Sequence, residues 1–155
     1  MTRCLSLALA LGAGLLGISG VTCAQNTAEP SLTLKLVGPN VWAAISNPTS
    51  TTAAGANTGF VIGDDSVAVI DATLSGDADG NFGTIPSREL LAAIRRLTTL
   101  PIRFVINTHY HLDHTGGNAV FVNAGAVVVA HQHVRTWTHN ENTRLLGKDI
   151  KPSRN

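Results

Sequence analysis

The chain has 155 residues, of which 44% are hydrophobic and 14% charged, and this size and composition favour a single globular domain. Its 11 Lys and Arg nearly balance its 10 Asp and Glu, and neither sign of charge collects in a block. This distribution argues against a nucleic-acid partner and against a charged disordered tail. The sequence gives no indication of the oligomeric state.

The N-terminal segment has the three-part layout of a secretory signal peptide. Arg3 supplies a positive charge, residues 4–21 carry no charge, and residues 22–24 are small. We therefore predict that residues 1–24 are removed and that the protein is periplasmic or secreted, with no membrane contact after cleavage. An uncleaved membrane anchor is the alternative, although the apolar run is close to the lower length limit for a membrane span.

Both cysteines, Cys4 and Cys23, lie within this predicted signal peptide. The mature chain therefore has neither a disulfide nor a thiolate ligand, and any metal site must use His, Asp, Glu and water. We predict a short polar leader over residues 25–31, followed by the domain over residues 32–155.

The domain begins with alternating apolar residues that predict strands, separated by turn residues. Four strands are predicted, at 32–36, 41–45, 58–62 and 66–71. A loop over 73–84, rich in Gly and Asp, precedes a helix over 86–98 in which Leu90, Leu91, Ile94 and Leu97 form one apolar stripe.

The remaining elements alternate between strand and helix. We predict a strand over 102–106, a short helix from Gly116 to Val122, a strand over 126–130 and a helix over 132–146. The continuous apolar run 126–130 is expected to be buried on both faces. This order predicts an α/β protein with a mixed sheet.

Three imidazoles and one carboxylate stand close together just after the strand over 102–106. They are His109, His111, Asp113 and His114, and such side chains suit zinc and neighbouring transition metals. In an extended segment, His109, His111 and Asp113 project to one side, and His114 turns to a neighbouring direction. Two adjacent metals are then possible, one held by His109 and His111 and the other by Asp113 and His114. Paired metals can lower the pKa of a bridging water, which predicts metal-assisted hydrolysis of a carbonyl, phosphoryl or sulfur centre.

The stretch from Thr108 to Asn118, Thr-His-Tyr-His-Leu-Asp-His-Thr-Gly-Gly-Asn, resembles the signature of the metallo-beta-lactamase superfamily. The segments 57–71, 102–107 and 127–131 resemble the hairpin and strands that surround that signature in the family. The resemblance covers most of residues 32–140.

This resemblance implies an αββα sandwich with a zinc site at one edge. It implies that His109 and His111 bind a first zinc, and that Asp113 and His114 bind a second. Asp113 would also act in catalysis by orienting the attacking hydroxide. Asp71 matches a family position that supports the site from just outside the ligands, although it could equally be a plain strand-ending carboxylate. The implied substrates are small-molecule esters, thioesters, lactones or β-lactams.

The family's complete two-zinc site also needs a third His, a bridging acidic residue and a last His, all from the later half of the fold. His131, His133 and His139 match none of these positions, and we expect them to be surface or hydrogen-bonded residues. We therefore expect only the N-terminal half of the sandwich here, with one sheet face uncovered and weak zinc affinity. The alternative function is a non-catalytic metal-binding half-domain or interaction fragment.

Three aromatic residues, Trp42, Tyr110 and Trp137, could face a substrate. Tyr110 is the better candidate, because it lies between two predicted ligands. Trp42 and Trp137 are expected to pack in the core.

Overall fold

A computed structural model describes residues 29–76 and 82–146. The predicted signal peptide, residues 25–28 of the predicted leader, the centre of the predicted loop and residues 147–155 lie outside the described residues. No helix within the described ranges is long and apolar enough to cross a membrane.

Most strands and helices of the described chain follow one another as the sequence predicts, but the predicted loop over 73–84 contains two short paired strands, β5 and β6. The strands are β1 (Leu32–Gly38), β2 (Val41–Ser46), β3 (Thr58–Ile62), β4 (Val67–Ile70), β5 (Ser75–Gly76), β6 (Phe82–Gly83), β7 (Ile102–Asn107) and β8 (Val127–Ala130). The helices are α1 (Ile85–Leu97), α2 (Leu112–Thr115), α3 (Asn118–Val122) and α4 (Val134–Leu146).

Six of the strands form one mixed sheet in the order β1-β2-β3-β4-β7-β8. Strands β1 to β4 are an antiparallel meander, and the predicted tight turn joins β3 to β4, where the Gly63 amide donates to the Ser66 carbonyl at 2.9 Å. Strands β7 and β8 then add in parallel to β4. The predicted α/β class with a mixed sheet is confirmed.

One face of this sheet carries the hydrophobic core. Helices α1 and α3 pack against each other, and α3 also packs against β7 and β8. Buried side chains from both layers meet there, including Phe60, Val69, Val105, Leu90, Ile94 and Phe121. The predicted apolar stripe of α1 therefore faces the core along most of its length, although Leu97 at the helix end is 43% exposed.

The prediction that the last strand is buried on both faces is wrong. Val127 is 62% exposed and Val129 is 44% exposed. Strand β8 is the last strand of the sheet, and the face carrying these two valines is not the one that receives α1 and α3. A continuous apolar run therefore does not by itself show that both faces are covered within the same chain.

The chain after β7 turns into a helix earlier than predicted. Asp113 was expected in an extended segment, but it lies in α2, and a second short helix, α3, follows where one helix was predicted. Gly117 separates the two helices, and a Cβ added to it would lie 2.1 Å from Ser87 Oγ and 2.2 Å from the Ala72 carbonyl oxygen. Only glycine fits where these segments cross.

Candidate metal centre

The histidine cluster lies at the edge of the sheet where β4 and β7 end side by side. Asp71 follows β4, and its amide donates to the Ile106 carbonyl at 2.9 Å, so the two chain segments leave the sheet together. Thr108 and the predicted ligands follow β7. Open α/β sheets place ligand sites at these carboxyl ends, because side chains after neighbouring parallel strands converge there.

The backbone after β4 adopts a rare conformation beneath the cluster. Asp71 has φ = 63° and Thr73 has φ = 51°, a region that is unusual for a β-branched residue such as Thr. The Ala72 amide between them donates to the His114 carbonyl at 2.8 Å. Strain of this kind persists only where surrounding contacts hold it, and it is concentrated at functional sites. Here it brings the Asp71 carboxylate under the predicted ligands.

The buried Asp71 carboxylate is hydrogen-bonded on both oxygens. Its Oδ1 accepts from the Thr108 amide at 2.8 Å, and its Oδ2 accepts from the Thr108 hydroxyl at 2.8 Å. The same Oδ2 lies 2.8 Å from Nδ1 of His114. A carboxylate that is only 5% exposed needs such partners. The structure thus brings Asp71 into direct contact with the predicted ligand His114, and its role in supporting a metal site stays a prediction.

These contacts also decide which nitrogens of His114 and His109 carry lone pairs. Because His114 Nδ1 donates to Asp71, its Nε2 has no proton in the neutral ring. His109 Nδ1 lies 3.0 Å from the Thr108 hydroxyl oxygen, whose own proton goes to Asp71. His109 Nδ1 is therefore the donor, and its Nε2 keeps the lone pair. The Asp71 carboxylate therefore fixes the tautomer of both rings, directly for His114 and through the Thr108 hydroxyl for His109.

Nε2 of His109 and Nε2 of His114 each lie close to a second atom that could bind a metal. His109 Nε2 accepts a hydrogen bond from His111 Nδ1 at 3.0 Å, so a metal held by these two atoms would require the other neutral tautomer of His111. His114 Nε2 lies 3.5 Å from Asp113 Oδ2. Two ligand atoms on one tetrahedral zinc with bonds of about 2.0–2.1 Å lie about 3.3 Å apart, so each pair has a spacing that suits one ion. The rings of His109 and His114 are 4.0 Å apart between centroids, which makes the two pairs neighbours.

The residue types and spacings fit zinc, but each pair supplies only two atoms. In residues 29–76 and 82–146, no group of three or more His, Cys, Asp and Glu side chains is arranged to hold an ion. His131 and His133 lie with their rings 5.1 Å apart, and both are exposed on the surface, as is His139. The assignment of the four cluster residues as ligands stays a prediction.

The surroundings of the His109 imidazole favour its neutral form. Partial burial lowers the pKa of His109 below its ordinary value, and the adjacent imidazoles of His114 and His111 lower it further. The carboxylates of Asp71 and Asp113 oppose this shift without reversing it. A neutral imidazole is the form that binds metals.

A buried pair of amides holds the loop in place, and the sequence did not single it out. Asn107 Nδ2 donates to Asn118 Oδ1 at 3.1 Å, and Asn118 Nδ2 donates to Asn107 Oδ1 at 2.8 Å. Asn107 also donates to the His114 carbonyl at 3.2 Å. Asn107 precedes His109 by two positions at the end of β7, and Asn118 follows His114 by four positions at the start of α3. The presence of one asparagine before the cluster and one after it is the sequence signal that could have indicated a pair of side chains closing the loop.

The aromatic residues separate into one in the core and two near the cluster. Trp42 packs against the core and stacks on Phe60 with ring centroids 6.0 Å apart, as predicted. The expectation for Trp137 is wrong, because it is 46% exposed and contacts the Tyr110 ring at 5.6 Å. Tyr110 in turn sets its ring edge-on to His111 at 4.6 Å. The aromatic surface therefore lies beside the donor pairs.

The fold that carries this cluster is shared with known proteins. A model of the metallo-beta-lactamase superfamily matches residues 51–144. Among solved structures, a metallo-beta-lactamase from Pseudomonas aeruginosa in its mono-zinc form is similar with a TM-score of 0.58 and 20% identity, over 84% of this chain and 52% of that one. A metallo-beta-lactamase from Pontibacter korlensis is similar with a TM-score of 0.56 and 22% identity, over 79% of this chain and 51% of that one. The chain thus spans about half the length of the solved structures it matches.

Proposed function

We propose that this chain, which belongs to the metallo-beta-lactamase superfamily, supplies the first ligands of a two-zinc hydrolase centre. The whole enzyme would hydrolyse a small-molecule ester, thioester, lactone or β-lactam, in the periplasm or outside the cell. The observation that carries the proposal is the pairing of donor atoms at one sheet edge. His109 with His111, and His114 with Asp113, form two neighbouring pairs at spacings of 3.0 and 3.5 Å.

Each residue of the cluster has a distinct role in this proposal. His109 and His111 would hold a first zinc, and His114 and Asp113 a second. Bound zinc would supply a water that loses its proton near neutral pH. Asp113, whose side chain is 42% exposed, can orient this water towards a substrate carbonyl. Asp71 holds the proton on His114 Nδ1, and Thr108 accepts the one on His109 Nδ1, so both rings offer their Nε2 atoms.

Zinc binding by the purified chain tests this proposal directly. We expect a competition titration against a chromophoric chelator to show weak binding, because only two protein atoms serve each ion. His109→Ala and Asp113→Ala should each lower the affinity by about tenfold or more, since loss of a ligand costs at least as much as loss of its supporting partner. His139→Ala is the matched control and should bind as the unmodified chain does. Unchanged binding in both cluster variants would overturn the assignment.

A second candidate function is a non-catalytic metal-binding half-domain or interaction fragment. It is favoured by the exposed apolar side chains of one sheet face, among them Phe104, Ile106 and Val127. A zinc-dependent hydrolysis assay with nitrocefin and a thioester separates the two candidates when the chain is fused to the later half of a matched structure's fold, which supplies the other ligands. Turnover by this fusion that His109→Ala abolishes would support the enzyme, whereas zinc binding without turnover would support the half-domain.

A further inference from the structure

Helix α4 carries a large aromatic side chain, that of Trp137, on its exposed surface. Trp137 is 46% exposed in a helix that is otherwise mostly polar. Tryptophan has the largest apolar ring of any residue, so leaving nearly half of it in water forgoes burial that the core could have provided. The exposed part of this ring is available for a contact at the surface.

The indole of Trp137 is held by neighbours on two sides. His133, one helical turn earlier, stacks on it with ring centroids 5.5 Å apart and planes only 19° from parallel. Tyr110 contacts it edge-on, with centroids 5.6 Å apart and planes at 76°. Aromatic pairs prefer these two arrangements, so the ring is fixed in direction although it is exposed.

The same contacts tie the indole to the metal centre. Tyr110 lies edge-on to His111, at 4.6 Å between ring centroids and 69° between planes. The Thr138 hydroxyl, on the residue after Trp137, donates to the Tyr110 carbonyl at 3.4 Å. Helix α4 is thus attached to the loop that carries the predicted ligands, and the aromatic surface begins directly beside one of them.

We propose that Trp137 and Tyr110, backed by His133, form a binding platform for a planar aromatic group of the substrate. This inference rests on the proposed function, because the platform would place such a group two ring-to-ring contacts from the predicted ligand His111. The offset-stacked and edge-on arrangements that hold the platform together are the ones an added aromatic ring would make with it. A saturated ring of equal size would bury similar area but would lack the complementary ring charge distribution.

The test uses the whole chain without metal, so its outcome does not depend on zinc binding. Trp42 and Trp137 are the two tryptophans of the sequence, and 15N labelling of tryptophan gives one indole N–H signal for each. Trp42→Phe assigns the signals. Sodium phenylacetate is the probe, sodium cyclohexylacetate is the matched saturated probe, and sodium acetate controls for the carboxylate.

We expect phenylacetate to shift the Trp137 signal saturably, with at least about threefold lower affinity for cyclohexylacetate and no shift of Trp42. Tyr110→Ala should weaken phenylacetate binding by about threefold or more, whereas Tyr110→Phe, which keeps the ring, should retain it. Arg135→Ala, an exposed change on the same helix, should have no effect. Equal affinity for both ring probes, insensitivity to Tyr110→Ala, or no saturable shift of Trp137 would each overturn the platform. None of these results would bear on the zinc titration, which tests the proposed function separately.

Discussion

Both faces of the main sheet carry large apolar residues, but these residues lie in opposite environments on the two faces. Phe60, Val69 and Val105 on one face are fully buried beneath α1 and α3. On the other face, strand pairing sets Phe104 beside Val127, and these residues are 42% and 62% exposed. The difference shows that apolar alternation specifies which side chains share a face, but not whether the described part of the chain covers that face.

The largest contrast between the faces is expected for the two phenylalanines. Phe60→Ala should lower the free energy of unfolding by about 3–5 kcal/mol, because it leaves a cavity where α1 and the sheet meet. Phe104→Ala should change it by less than about 1 kcal/mol, because the ring already contacts water. Urea unfolding followed by circular dichroism measures both. Similar losses in the two variants would mean that the exposed face is covered in solution.

A second test concerns Gly117, where the core side of the sheet meets the predicted metal site. Gly117→Ala should lower the free energy of unfolding by about 3 kcal/mol, because its Cβ would lie 2.1–2.5 Å from Ser87 Oγ and two carbonyl oxygens. Gly38→Ala is the matched control, since its Cβ would meet nothing closer than 3.7 Å. Thermal unfolding of both variants decides the matter. Equal melting temperatures would contradict the close crossing.

The buried amide pair should contribute less than the core. Asn107→Ala leaves the Asn118 side chain buried without its reciprocal partner, which costs about 1–3 kcal/mol. Asn123→Ala, at an exposed position after α3, should cost less than about 0.5 kcal/mol. Urea unfolding provides the measurement. If Asn107→Ala were as mild as the control, the pair would not be what holds the loop.

The smallest effect on stability is expected on the exposed face, where solubility should change instead. Val127→Lys should leave the free energy of unfolding within about 0.5 kcal/mol and should reduce aggregation, because it interrupts an exposed apolar patch. Gln132→Lys adds the same charge at an exposed site outside the patch. Light scattering at matched concentrations should show the benefit for Val127→Lys alone. An equal benefit from both changes would attribute the effect to net charge.

Much of the fold could be predicted because its signals are local. The alternation in β1, the Gly63 turn and the stripe containing Leu90 and Ile94 each depend on residues a few positions apart. The predictions failed for the burial of β8 and for the start of the helix after β7, which both depend on contacts between distant parts of the chain. The exposure of Val127 depends on which elements cover a sheet face. The loop around α2 lies against residues distant in sequence, as where the Ala72 amide donates to the His114 carbonyl.

The sequence by itself determined the order of the elements, the class of fold and the chemistry of the cluster, since three imidazoles and a carboxylate within six positions form one group in any compact chain. Only the tertiary structure decided how that group is arranged. Asp71 is 43 residues before His114 and 37 before Thr108, and pairing of β4 with β7 brings it to both. Contacts over such separations follow from strand pairing and close packing, which no short stretch of sequence encodes. That is why the tautomers of His109 and His114, and the exposure of the Trp137 ring, can be read only from the folded chain.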